Sequence, residues 1–196
     1  MKFIGITGGV GAGKSEILKF IRDHYKCKIL YADKAAFEVR LPGTECYNRL
    51  CELLGEDVVK DRRAMAAKMF DNEKLLEQVN AIIHPAVKDY ILDAYKKEEE
   101  KGEAELFFVE AALLVECGYC DIVDEMWYIY APEEVRSLRL FNSRGYTPEK
   151  IKSIMASQLK EKEFRENCDF VIDNSGSLFA AAEQIRHRLE GYTWLK

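Results

Sequence analysis

The chain has 196 residues, 48% of them hydrophobic and 32% charged, with a formal net charge of −5 at pH 7. That content suits one cored α/β domain with an insertion, and the acidic balance argues against general binding to nucleic acid or a membrane surface. No apolar run is long enough to span a bilayer, and Met1 leads into "KFIGI" with none of the parts of a secretory signal, so a cytoplasmic protein is expected.

Residues 2–6, "KFIGI", read as a buried parallel strand. A glycine-rich loop follows, then a helix over "KSEILKFIRDHY" with Ile17, Leu18 and Ile21 on one face, and a short strand "KIL" ending at "YAD". Next comes a helical stretch: "KAAFEV", a break at "LPGT", "ECYNRLCELLG", "DRRAMAAKMF", and "KLLEQVNAII", which His84-Pro85 is expected to break before "AVKDYILDAYKKEEEKG". The charges at 96–101 read as a solvated helix end. Tyr31, Phe37 and Phe70 are expected in the core. "AELFFVEA" and "EMWYIYA" are the third and fourth strands. Pro132 then suits the first turn of "PEEVRSLRLFNSRG", and Thr147 with Pro148 caps and opens "TPEKIKSIMASQL". "DFVIDN" is a fifth strand, and a helix closes the chain at Gly191. Strands alternating with helices, without hairpin signals, predict a mostly parallel sheet.

The six cysteines lack the matched spacing of a zinc site, "CGYC" at 117–120 included, and read as reduced thiols.

The chemistry concentrates in "GITGGVGAGKSE", residues 5–16. Gly8, Gly13, Lys14 and Ser15 satisfy G-x-x-x-x-G-K-[ST], with a strand before and a helix after. Small residues let backbone N–H groups converge on a polyphosphate, and the helix start adds unsatisfied donors. Lys14 supplies a point charge for the outer phosphates, and Ser15 a hydroxyl for Mg²⁺. Gly8, Gly9, Gly11, Ala12, Gly13, Lys14, Ser15 and Glu16 are therefore the candidate ATP contacts. The G-x-G-x-x-G spacing of dinucleotide binders is not met.

No N/T-K-x-D guanine-reading motif occurs, and the chain is short for a motor, which favours a kinase with a small-molecule acceptor. Asp33 closes the second strand, at the sheet edge where the phosphate loop is expected to lie; it suits a catalytic base first, and a helix cap second. Glu110 closes the third strand, in reach of a metal's water shell. Between 136 and 165 there are eight basic residues (136, 139, 144, 150, 152, 160, 162, 165) against three acids, the composition of a basic flap over a triphosphate. A nucleoside or nucleotide kinase, and a nucleotide-binding regulator without catalysis, remain compatible with these features.

The chain resembles the dephospho-coenzyme A kinase family nearly end to end. The strings are "GITGGVGAGKSE", "ADKAAFEV" with "LPGT", "DRRAMAAKMF", "NAIIHPAV", "EAALLVECGY", "ASQ" and "CDFVIDNSGS". The resemblance implies ATP-dependent phosphorylation of the ribose 3′-hydroxyl of dephospho-CoA by a P-loop sheet with a helical acceptor-binding part and a helical lid. On this chain those fall at 1–33, 104–135 and 168–196 for the core, 34–103 for the acceptor part and 136–167 for the lid. It further implies Asp33 as catalytic base, Lys14 and Arg139 on the transferred phosphate, Arg63, His84 and Glu110 on the acceptor side, and Asn174 and Gly176 at the nucleotide. The implied partner is a small molecule, and the protein a monomer or small homo-oligomer.

Four positions depart from the family pattern. Tyr31 stands where an aspartate is usual, Ala112 replaces a proline, and Glu16 replaces a threonine. The lid's second arginine, usually four residues after the first, is Ser143 here, with Arg144 displaced by one.

Overall fold

The computed structural model describes residues 1–70 and 72–192; residues 193–196 of the expected core segment 168–196 lie outside it. In order, the elements are β1 (Lys2–Thr7), α1 (Lys14–His24), β2 (Cys27–Tyr31), α2 (Ala32–Glu38), α3 (Glu45–Leu54), α4 (Glu56–Lys60) and α5 (Arg62–Met69). There follow α6 (Glu73–Lys101), β3 (Leu106–Glu110), β4 (Glu125–Tyr130), α7 (Glu133–Arg144), α8 (Pro148–Ala156), α9 (Glu161–Asn167), β5 (Phe170–Asp173) and α10 (Leu178–Glu190). The chain forms two compact units, Met1–Ile29 with Glu98–Lys196, and Leu30–Lys97.

The five strands form one parallel sheet in the order β2-β3-β1-β4-β5, the expected α/β architecture. Phe3 pairs with Phe107, Ile6 with Trp127 and Tyr128 with Val171. β1, β3 and β4 are nearly continuous apolar runs because both sheet faces are covered. In the first unit α1 and α10 pack together, and Ile17, Leu18, Ile21, Ala181, Ile185 and Leu189 join Ile4, Ile6, Phe108, Trp127 and Ile129 in one core. A buried carboxylate fastens this unit: Glu125 accepts hydrogen bonds from Trp127 Nε1 (2.9 Å), Tyr192 Oη (2.6 Å) and Arg188 Nε (3.2 Å), with Lys2 Nζ 3.3 Å away. Burial alone raises its pKa, but these donors outweigh burial and hold it below the ordinary carboxylate value.

The second unit is helical, with Leu50, Leu54, Met65, Val79, Val87 and Ile91 buried. Here the sequence expectations need correction. α6 is not broken at His84-Pro85; it runs unbroken from Glu73 to Lys101 with Pro85 inside. A mid-helix proline costs about 3 kcal/mol, and burial of Val79, Val87 and Ile91 on one face, on both sides of the proline, offsets it. At the far end of α6 Glu98 is buried and paired with Lys101 at 3.2 Å, so that end is not wholly solvated. Tyr31, Phe37 and Phe70 are exposed, not core. A smaller difference concerns a cap. Pro132 precedes α7 as its cap residue instead of lying in the first turn, whereas Thr147 does cap α8, accepting from Lys150 N. α9, short and highly charged, has no counterpart in the periodicity; Glu163 caps it from inside, accepting from Lys160 N at 2.9 Å, and Phe164 stacks on Tyr128 at 4.6 Å.

The six cysteines are free thiols. Burial pushes the Cys168 thiol up to about 12 and Cys27 to about 11, so both stay protonated at neutral pH.

Candidate active site

The loop between β1 and α1 is built by close approach. Gly13 begins α1 with φ +93°, a left-handed conformation, and a Cβ there would overlap the Asn174 amide. It offers no capping side chain, so the first-turn N–H groups of α1 face the loop's hollow without an internal side-chain acceptor. Ser15 and Glu16 are exposed in that first turn. Lys14 folds back over the loop, donating from Nζ to the Gly8 carbonyl at 2.8 Å and standing 3.7 Å from Glu110 Oε1 at the end of β3. Glu110 and Lys14, assigned separately from the sequence, therefore meet. The pair is largely shielded, which strengthens the attraction and fixes the ammonium beside the hollow.

Three distant segments brace the loop from outside. Asn174, buried just after β5, donates from Nδ2 to the Ala12 carbonyl at 2.8 Å. Arg139, on α7, donates to the same carbonyl at 3.3 Å and to the Asn174 carbonyl at 2.7 Å. Gln158, just past α8, accepts from Val10 N at 3.0 Å. Gly176 lies in the exposed turn after β5, and a Cβ there would meet nothing. Of the eight basic residues between 136 and 165, Arg136 and Arg139 are the ones found against the loop. Arg144 and Lys150 lie over the Tyr146 ring, Arg165 pairs with Glu161, and Lys162 with Glu166.

The sequence assigned no role to Gln158 and counted Arg136 only as one of the eight basic residues of the flap. Gln158 lies in the family string "ASQ", which carried a hint. Arg136 sits three residues before Arg139 on the same helix face, so its spacing was the available signal.

In the second unit Asp33 occupies the first turn of α2, exposed, with no hydrogen bond or ion pair among the described residues. It does not cap the helix: the cap residue is Tyr31, and no side chain caps it. Arg63 is exposed at the start of α5, its backbone N–H donating to the Asp61 carboxylate at 2.8 Å. Arg62 instead lines a cavity of about 270 Å³ with Phe37, Arg40, Tyr47, Lys60 and Met65. His84 is exposed in the middle of α6.

No group of three or more His, Cys, Asp or Glu arranged to hold a metal ion occurs among the described residues. Ser15 and Glu110 nevertheless offer a hydroxyl and a carboxylate, hard oxygen donors of the kind Mg²⁺ takes together with phosphate oxygens and water.

A family model described as dephospho-CoA kinase matches residues 2–180. The chain belongs to the dephospho-CoA kinase family. Among its relatives, the dephospho-CoA kinase of Corynebacterium diphtheriae is 32% identical, over 90% of each chain. That of Carboxydothermus hydrogenoformans is 29% identical, over 99% of this chain and 96% of the relative. A crystallised Thermus thermophilus protein superposes with a TM-score of 0.82 at 28% identity, covering 98% of this chain and 97% of that one. Membership in the dephospho-CoA kinase family disfavours both the nucleoside-kinase and the non-catalytic readings.

Proposed function

We propose that this chain transfers the γ-phosphoryl group of ATP to the ribose 3′-hydroxyl of dephospho-CoA, giving coenzyme A and ADP. The observation that carries the reading is the family match over residues 2–180, coinciding with a phosphate loop whose Lys14 is already held over the hollow. Phosphoryl transfer asks for positioning and charge neutralisation more than for covalent chemistry by the protein. Gly8, Gly9, Gly11, Ala12 and Gly13 present backbone donors, Lys14 grips the outer phosphates, and Arg139 neutralises charge that develops on the transferred group. The 3′-oxygen forms the new P–O bond as the bond from the γ-phosphorus to the β,γ-bridging oxygen breaks. Asp33 accepts the hydroxyl proton, a role supported by its exposed place in the first turn of α2. Arg63 and His84 are assigned to the acceptor, and Asn174 with Gly176 to the nucleotide end.

Ser15 and Glu110 would hold Mg²⁺, which when bound neutralises part of the triphosphate charge. We place the reaction in the cytoplasm, a reading supported by six free thiols, with a small-molecule acceptor, no nucleic-acid partner, and a monomer or small homo-oligomer. The test is incubation with ATP-Mg²⁺ and a panel of dephospho-CoA, uridine, cytidine and nucleoside monophosphates, with products read by mass. Phosphorylation of dephospho-CoA supports the reading; turnover of another acceptor alone, or of none, overturns it.

A further inference from the structure

We propose that Arg136 supplies the second guanidinium of the triphosphate cradle, the part that the resemblance assigns to an arginine four residues after Arg139. The inference rests on ATP being the phosphoryl donor. On α7 the residue at that later position is Ser143, whose hydroxyl turns back to the Arg139 carbonyl at 2.6 Å. Arg144, the next candidate, is exposed over the Tyr146 ring, 5.9 Å from its centroid. Arg136 instead lies one turn before Arg139 on the same face, and it reaches the loop.

Two observations place its guanidinium there. A Cβ built on Gly9 would overlap Arg136 Nη1, and one on Gly11 would come within 2.8 Å of the Arg136 carbonyl. Gly9 does not adopt a positive φ, so its backbone makes no demand for glycine, and the phosphate-loop pattern leaves that position open. What stands over that position is the flexible end of Arg136, so the contact places the guanidinium on the loop without dictating the residue at 9. The second observation is electrostatic. Arg136 is half-buried, yet its guanidinium makes no hydrogen bond or ion pair among the described residues; its one bond is from the backbone N–H to the Pro132 carbonyl. A partly desolvated cation without an acid is unfavourable in a finished core and favourable where an anion arrives. At the rim of a phosphate loop, that anion is the polyphosphate.

The experiment titrates ATP-Mg²⁺ into acceptor-free protein by calorimetry, alongside thermal melting without nucleotide. Arg136→Ala is expected to weaken ATP binding by about tenfold or more, the scale of one charge-assisted hydrogen bond, while Arg144→Ala stays within about twofold of wild type. Because the Arg136 side chain makes no hydrogen bond or ion pair to lose among the described residues, its removal is expected to leave the nucleotide-free melting temperature unchanged or raised. ATP affinity unaltered in Arg136→Ala overturns the proposal. So does a drop in ATP affinity accompanied by a drop in melting temperature, which marks a merely structural contact. No acceptor is present, so a wild type that binds ATP without phosphorylating dephospho-CoA sinks the acceptor assignment and leaves this test intact.

Discussion

Asn174→Ala is the sharpest probe of how the loop is held. The wild-type amide donates to the Ala12 carbonyl at 2.8 Å from a position 2% exposed, so water cannot replace it freely. Leaving a buried carbonyl without any donor costs about 1–3 kcal/mol. Ala12 keeps Arg139 Nη1 at 3.3 Å, so the loss falls toward the lower half of that range, about 1.5 kcal/mol. For a chain of this size, that lowers the melting temperature by about 3–6 °C. If roughly 1 kcal/mol of it is loop ordering that ATP must restore, ATP binding weakens about fivefold. Calorimetric melting and ATP titration read both quantities. Gln184→Ala is the control: it removes bonds to Asp173 N and O without touching the loop, so it is expected to keep ATP affinity. Unchanged melting and unchanged ATP affinity in Asn174→Ala would refute the idea that this amide braces the loop.

Three further outcomes are expected. Lys14→Ala abolishes transfer in a coupled ADP-release assay. Asp33→Asn lowers kcat by roughly a thousandfold with ATP affinity kept, since a base acts on the proton and not on the nucleotide; steady-state kinetics with separate ATP titration checks this. Glu125→Gln destabilises by about 3 kcal/mol near neutral pH, because Arg188 loses its charged partner. Glu125 titrates below its ordinary 4.5 in the folded chain, so its contribution is complete above that pH and fades as pH falls through the folded value. Denaturant melts from pH 7 down to pH 3 are therefore expected to show the gap between wild type and variant closing only at the acid end.

The features legible in the sequence were those whose chemistry is local. Strand, glycine loop, lysine and helix lie within one continuous stretch, and the motif's spacing reflects a backbone geometry that few residues satisfy. Glu110 was legible as the residue that closes a parallel strand, whereas Asp33, expected to close β2, lies in the first turn of α2, two residues past the end of that strand. The contacts bracing the loop were not, because Val10 and Gln158 are separated by 148 residues and Ala12 and Asn174 by 162, and no periodicity connects them. α6 was misjudged at Pro85 because local propensity registers the missing N–H and not the buried valines and isoleucine that compensate for it. α9 escaped because Phe164 is its one buried residue, too little for a helical stripe. Arg136 was counted as one charge among eight; that it lies on Gly9 needed the helix in place.

The most direct measurement of the central claim is the fate of γ-labelled ATP given dephospho-CoA, with the product located by NMR. The account predicts a single labelled product carrying the new phosphate on the ribose 3′-oxygen, formed by wild type and absent with Lys14→Ala. Label recovered only as inorganic phosphate, or attached at any other oxygen, would contradict it.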